Sequence, residues 1–157
     1  MFRSGAFVAE QFDGLCDDQR QHNGIDLTVD GIAEPAEPGR IGREDKTVAE
    51  RRPVEPAADG EAHHLSPGGY VVTYGERIAV PEGHLGLVLP RSSLLRNGCT
   101  LETAVWDTGY EGVGEGLLQV AHEIEIEPGA RIGQFVLAEA DHAGTYAGDY
   151  QGEGGED

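Results

Sequence analysis

"LSPGGYVVTYGERIAVPEGHLGLVLPRSSLLRNG", Leu65 to Gly98, is the stretch whose reading decides the fold. Its first part, "YVVTYGERIAVP" (70–81), alternates apolar and polar residues and is rich in β-branched side chains. The next part, "GHLGLVLP" (83–90), is a short apolar run closed by proline. Pro-Glu-Gly between them is turn chemistry, so the two runs read as strands. At "RSSLLRNG" the character changes. Ser92 or Ser93 suits an N-cap and Gly98 a C′ position, which predicts one short helix near 92–97. A helix start carries free N–H groups and a positive dipole end. With Arg91 and the two hydroxyls it makes an anion pocket, although an ordinary capped helix reads the same way.

Working outward, "TLETAVWD" (100–107), "GEGLLQVAHEIEIEP" (114–128) and "RIGQFVLAEA" (131–140) repeat the strand pattern. Turn signals punctuate them at strand-like intervals, so the expected class is all-β, a distorted antiparallel barrel or jelly roll. Residues 33–62 are rich in Pro, Glu, Gly and Ala; they read as a loop-and-edge insert with a short strand at Arg40–Arg43. The expected organisation is a single domain over 1–142, followed by a flexible, Gly-rich acidic tail over 143–157.

The 157 residues carry 29 Asp and Glu against 11 Lys and Arg, a net charge of −18, and Lys46 is the only lysine. Such a balance argues against nucleic-acid binding, which needs clustered cations. It suits an acidic partner face or a cytoplasm of very high salt, where repulsion is screened. The 38 % hydrophobic content predicts a thin core that gains from burial against sister subunits. Cys16 and Cys99 lack the spacing of a zinc or disulfide framework, and His63, His64 and His122 lack ligand spacing, so surface or edge positions suit them. "MFRSGAFVAEQF" is too short and polar for a signal peptide, and no run reaches the ~18 apolar residues of a membrane helix. A soluble, cytoplasmic protein is expected.

Three further stretches carry chemistry. "AVWDTGYEG" (104–112) places Asp107 at the end of a strand and Thr108-Gly109 in a tight turn, with Tyr110 on the returning arm of a hairpin. A carboxylate there suits deprotonation of a water attacking phosphate, or is simply a turn residue. "HNGIDLTV" (22–29) sets Asp26 in an apolar strand, where it either supports a metal's water shell or pairs with an arginine. "PGARIGQF" (128–135) brings Arg131 and Gln134 to the start of a strand. Trp106 reads as packing.

In this order and spacing the four stretches resemble the motifs of the dUTP diphosphatase and dCTP deaminase superfamily. "GIDL" is similar to its G-Φ-D-L motif, "PRSSLLRNG" to (P/G)RSSLxRxG, "WDTGYEG" to ΦD-x-G-Y-x-G, and "GARIGQ" to G-x-R-I-x-Q. The resemblance spans about residues 20–138 and implies a distorted β-barrel that assembles as a homotrimer with sites between subunits. It implies a deoxynucleoside triphosphate substrate with Mg²⁺. Carried over, Arg91, Ser92 and Ser93 bind phosphates, Asp107 orients the attacking water, and Tyr110 packs beneath the deoxyribose. Gln134 touches the phosphates, and Asp26 supports the metal shell indirectly.

Two branches remain. A deaminase needs a glutamate on the strand after Asp107, and register places Leu117 or Gln119 there, with Glu115 out of register. That favours hydrolysis of dUTP to dUMP and pyrophosphate. Arg96 matches an arginine of the deaminase branch, and the tail "GTYAGDYQGEGGED" lacks the Arg and Phe of a diphosphatase arm; its "YQG" resembles a deaminase tail, with Tyr150 stacking on the base. The alternatives are a dCTP deaminase, alone or bifunctional, and a nucleotide-binding regulator without turnover.

Overall fold

The computed structural model describes residues 1–57 and 60–154. The chain opens with a short helix, α1 (Gly5–Ala9), capped by the Ser4 hydroxyl, which accepts from the Phe7 amide at 3.3 Å. A single 3-10 turn, Asp17–Gln19, leads into β1 (Ile25–Pro35). The 33–62 insert supplies three short strands: β2 (Arg40–Ile41), β3 (Lys46–Thr47) and β4 (Arg51–Pro53). Then follow β5 (His63–Leu65), β6 (Gly68–Ala79), β7 (His84–Pro90), α2 (Ser92–Arg96), β8 (Cys99–Glu102), β9 (Glu111–Val120), β10 (Ile124–Ile126) and β11 (Arg131–Glu139).

One seven-stranded antiparallel sheet runs β7-β11-β1-β6-β9-β8, with β4 added to the end of β1. The sheet curls until β8 packs against β7, which nearly closes a barrel. The expected class is therefore the observed one. Alternation explains the interior: Tyr70, Val72, Tyr74 and Ile78 of β6 point inward against Leu118 and Val120 of β9. β11 departs from it. Ile132, Phe135, Val136 and Leu137 are all buried, α1 packs against the strand, and Phe12, just past the helix, lies edge-on to Phe135 at 5.5 Å.

Arg91, not a serine, is the N-cap of α2, and no side chain caps the helix. The reason is that the Arg91 amide still follows the β7 path, donating to the Ile132 carbonyl at 2.9 Å. The extended residue is thus Arg91, and Ser92 and Ser93 become the first two helical positions. Gly98 ends the helix as expected, at φ +74°, donating to Leu95. His63 is buried instead of lying at the surface; its Nδ1 sits 2.7 Å from the Val54 carbonyl.

Tyr74 fills the centre with its hydroxyl unpartnered, and burial drives its phenol far above the usual tyrosine range. Unfolding lets that phenol ionise above about pH 10, so native stability falls as pH rises beyond that point. Tyr74→Phe removes both penalties. It is expected to raise unfolding stability by about 1 kcal/mol at pH 7 and by more at pH 11, measured by urea titration at the two pH values.

Candidate functional site

β1 carries Asp26 into a nearly sealed position: its side chain is 2 % exposed, and its Cα lies opposite Gln134 on β11, which lies opposite Leu89 on β7. Where β7 ends, Arg91 turns back so that its Nε lies 3.1 Å from Asp26 Oδ2. Arg131 Nη1 approaches the same oxygen at 3.5 Å, and Gln21 Nε2 donates to it at 3.1 Å. Burial pushes the Asp26 carboxyl above the usual carboxylate range, while the two guanidiniums pull the other way. Of the two roles open to Asp26, the structure supplies the arginine pairing. Asp26 Oδ2 thus meets three donors and almost no solvent.

A second ring fixes this one. Gln19 Nε2 donates to the Asp26 carbonyl at 3.1 Å and to Glu76 Oε1 at 2.6 Å. Glu76, on the bulge of β6, accepts from the Thr28 amide and hydroxyl, both at 2.8 Å. The outer faces of Arg91 and Arg131 remain about a third exposed, at 32 % and 31 %. Beside them α2 leaves the amides of Ser92 and Ser93 without intrahelical acceptors. Both serines and Arg96 are exposed, and Gln134 is half-buried. Arginine, hydroxyls and free amides converge as an anion-binding surface requires.

Asp107 lies elsewhere. Trp106 exchanges both backbone bonds with Gly86 of β7, at 2.8 and 3.0 Å. A turn then closes from the Tyr110 amide to the Asp107 carbonyl at 3.1 Å, with Gly109 at φ +79°. Tyr110 in turn accepts from Val80 at the end of β6. The expected hairpin is therefore an arch from the β7 side to the β6 side, because non-local pairing of Trp106 replaces the return arm. Asp107 is exposed at its crest, and Tyr110 is 5 % exposed beneath, packed edge-on between Trp106 (5.0 Å) and Tyr146 (5.5 Å). Burial and the neighbouring Glu153 push the Tyr110 phenol up to about 12.

A cavity of about 400 Å³ opens over this arch, walled by Asp107, Tyr110, Glu115, Tyr150, Glu153 and Arg51. The tail reaches it through backbone bonds: Tyr146 amide to Thr108 carbonyl (2.8 Å), Gly152 amide to Glu111 carbonyl (2.8 Å), and Val113 amide to Glu153 carbonyl (2.7 Å). Tyr150 therefore stands in the cavity wall, also 5.3 Å from the Lys46 ammonium. Residues 155–157 of the tail lie outside the described residues. Sequence reasoning missed Arg51 and Glu153, and it set Glu115 aside. Glu115 lines the cavity and ion-pairs with Arg51, whereas Gln119 lies opposite Thr100 and Gly69, outside the lining. Alternation along β9 puts Glu115, Leu117 and Gln119 on one outward face, so the sequence carries no local signal that separates 115 from the other two.

None of Arg91, Ser92, Ser93 and Gln134 lines this cavity. Trp106 sits level with Gly86, five residues before Arg91 along β7, which puts roughly 16 Å between the two groups. One chain thus presents two separate groups of candidate residues.

A family model described as dCTP deaminase-like matches residues 1–140. The chain belongs to the dCTP deaminase-like family. Among its relatives is a probable deoxyuridine 5'-triphosphate nucleotidohydrolase of Halobacterium salinarum, 52 % identical over 98 % of this chain and 95 % of that one. A protein of the same description from Aeropyrum pernix is 43 % identical over 85 % and 86 %. A solved dCTP deaminase from Agrobacterium tumefaciens shares the fold at TM-score 0.67 and 17 % identity, covering 88 % of this chain; this chain spans about half, 48 %, of that one. A mutant dUTPase of phage phi11, described with a structural Mg(II) ion, aligns at TM-score 0.53 and 13 % identity over 95 % of each chain. For this dCTP deaminase-like chain, the two structures speak to the barrel alone.

Proposed function

We propose that this chain hydrolyses dUTP to dUMP and pyrophosphate, as a homotrimer in the cytoplasm. One observation carries the reading: an exposed carboxylate, Asp107, stands over a buried aromatic floor at a nucleotide-sized cavity, with a separate arginine–serine surface roughly 16 Å away on the same chain. The two groups complement each other only between copies, where Arg91, Ser92 and Ser93 of one chain face Asp107 of the next. Relatives described as dUTP nucleotidohydrolases, at 52 % and 43 % identity, support the substrate. No helix among the described residues is long and apolar enough to cross a membrane.

The chemistry follows from the groups present. Asp107 accepts a proton from water, the water oxygen bonds to phosphorus, and the α–β phosphoanhydride bond breaks to release pyrophosphate. Arg91 and the Ser92 and Ser93 amides and hydroxyls hold phosphate oxygens, joined by Gln134 and Arg96. Asp26 keeps Arg91 and Arg131 aimed. Tyr110 packs under the deoxyribose and leaves no space for a 2′-hydroxyl, and Tyr150 lies against the base. Among the described residues no three His, Cys, Asp or Glu side chains form a metal cluster. Asp107 and Glu153 are the cavity carboxylates that would hold a Mg²⁺ ion, and the ion would supply charge neutralisation of the triphosphate.

A second reading, dCTP deamination, draws on the presence of Glu115 in the cavity wall. A product assay at high salt with Mg²⁺ separates the two. Pyrophosphate from dUTP without ammonia from dCTP is the expected result. Ammonia from dCTP supports the deaminase, and nucleotide binding without either product leaves a regulator.

A further inference from the structure

The cavity wall holds an ion pair that the proposed hydrolysis does not use. Arg51 comes from β4, in the insert, and its guanidinium donates to Glu115 Oε1 on β9. Both side chains are largely covered, at 32 % and 24 % exposure. Among the described lining residues Arg51 is the only cation, set against Asp107, Glu115 and Glu153. Burial and the neighbouring Glu115 raise the cost of charge on Glu153, and Arg51 offsets it. Among the described residues the pair joins Arg51 Nη1 to Glu115 Oε1, and the remaining guanidinium donors and the second carboxylate oxygen are what this wall can offer a ligand.

We infer that Arg51 and Glu115 read the pyrimidine edge and select a 4-carbonyl base over a 4-amino base. The inference rests on the diphosphatase reading. A guanidinium only donates and an ionised carboxylate only accepts. Uracil offers a carbonyl at position 4 beside an N3–H; cytosine offers an amine beside a bare ring nitrogen. Orientation decides which base fits. Glu115 lies on the strand that begins just after Tyr110, the sugar floor, while Arg51 reaches in from the outer edge at β4. The ring is anchored at N1, so position 4 is its farthest point from the sugar. Glu115 therefore meets N3, and Arg51 meets the group at position 4. Uracil satisfies both partners, whereas cytosine sets donor against donor and acceptor against lone pair. The clamp also occupies Glu115, which separates this wall from one whose glutamate is free to shuttle protons.

The test uses the full chain with Mg²⁺, measuring KM and kcat for dUTP and the inhibition constant of dCTP as competitor. Arg51→Met is expected to raise KM for dUTP roughly ten- to hundredfold with kcat little changed. The inhibition constant of dCTP stays constant or falls, so the preference collapses. Glu115→Gln, whose amide presents either a donor or an acceptor, narrows the preference as well. A structural role alone weakens both nucleotides equally; an unchanged preference in both variants overturns the inference. Wild-type protein that releases no pyrophosphate from dUTP is a different failure. It removes the diphosphatase reading, and the inference with it.

Discussion

Asp107→Asn is expected to reduce pyrophosphate release from dUTP by about 10³-fold while nucleotide binding stays within a few fold, since a positioned general base contributes about 10²–10⁴. The substitution keeps shape and removes the proton acceptor. It also spares the arch, because the Asp107 atom that closes the turn is the backbone carbonyl accepting from Tyr110. Stability is expected to be unchanged, as the side chain is exposed and forms no ion pair among the described residues. Single-turnover release measured beside equilibrium binding of dUMP separates chemistry from affinity. A rate within threefold of wild type would move the base to another carboxylate of the same cavity, Glu115 or Glu153. Loss of binding in step with rate would mean that Asp107 holds the nucleotide and does not act on water.

How far the sequence reaches is clear from particular elements. Tyr70–Pro81 and Gly83–Pro90 are strands because alternation and turn residues are local signals, and Gly98 ends α2 for an equally local reason. The arch at Asp107 was not legible. Its course depends on Trp106 pairing with Gly86, twenty residues earlier, and a backbone pairing leaves no mark on residue type. The same holds for the tail. Its acidic, Gly-rich composition signals mobility, yet amides of Tyr146 and Gly152 find carbonyls on the arch and on β9. The Asp26 clamp was half legible: one carboxylate in an apolar strand demands a partner, but which arginine answers depends on three strands meeting. Alternation does not single out Glu115, because Glu115, Leu117 and Gln119 share the outward face of β9; what brings 115 into the cavity wall is the approach of Arg51 from β4 and of the tail, both non-local. The outward face of β9 is fixed by which residues are buried, and that pattern runs through Gly112, Gly114, Gly116 and Leu118.

The Asp26 clamp offers the largest structural effect. Asp26→Ala strands two guanidiniums at a site built around one carboxylate oxygen, and breaking a buried pair from one side costs about 3–5 kcal/mol. Here the lower value applies, because Arg91 and Arg131 are 32 % and 31 % exposed and regain some water. A loss of about 3 kcal/mol corresponds to a melting point lower by roughly 6–12 °C in a chain of this size. Asp26→Asn retains an acceptor for Arg91 and should fall between wild type and alanine. Because Arg91 also caps α2 and donates to Ile132, freeing its side chain leaves the helix in place and loosens only the anion surface. KM for dUTP should then rise roughly tenfold with little change in kcat, the mark of lost phosphate positioning. Combining Asp26→Ala with Arg131→Ala is expected to cost less than the sum of the two, since the second change removes a charge that the first left unpaired. Additive losses, or an Asp26→Ala protein as stable as wild type, would show that the carboxylate is no clamp and that Arg91 is positioned by its backbone alone.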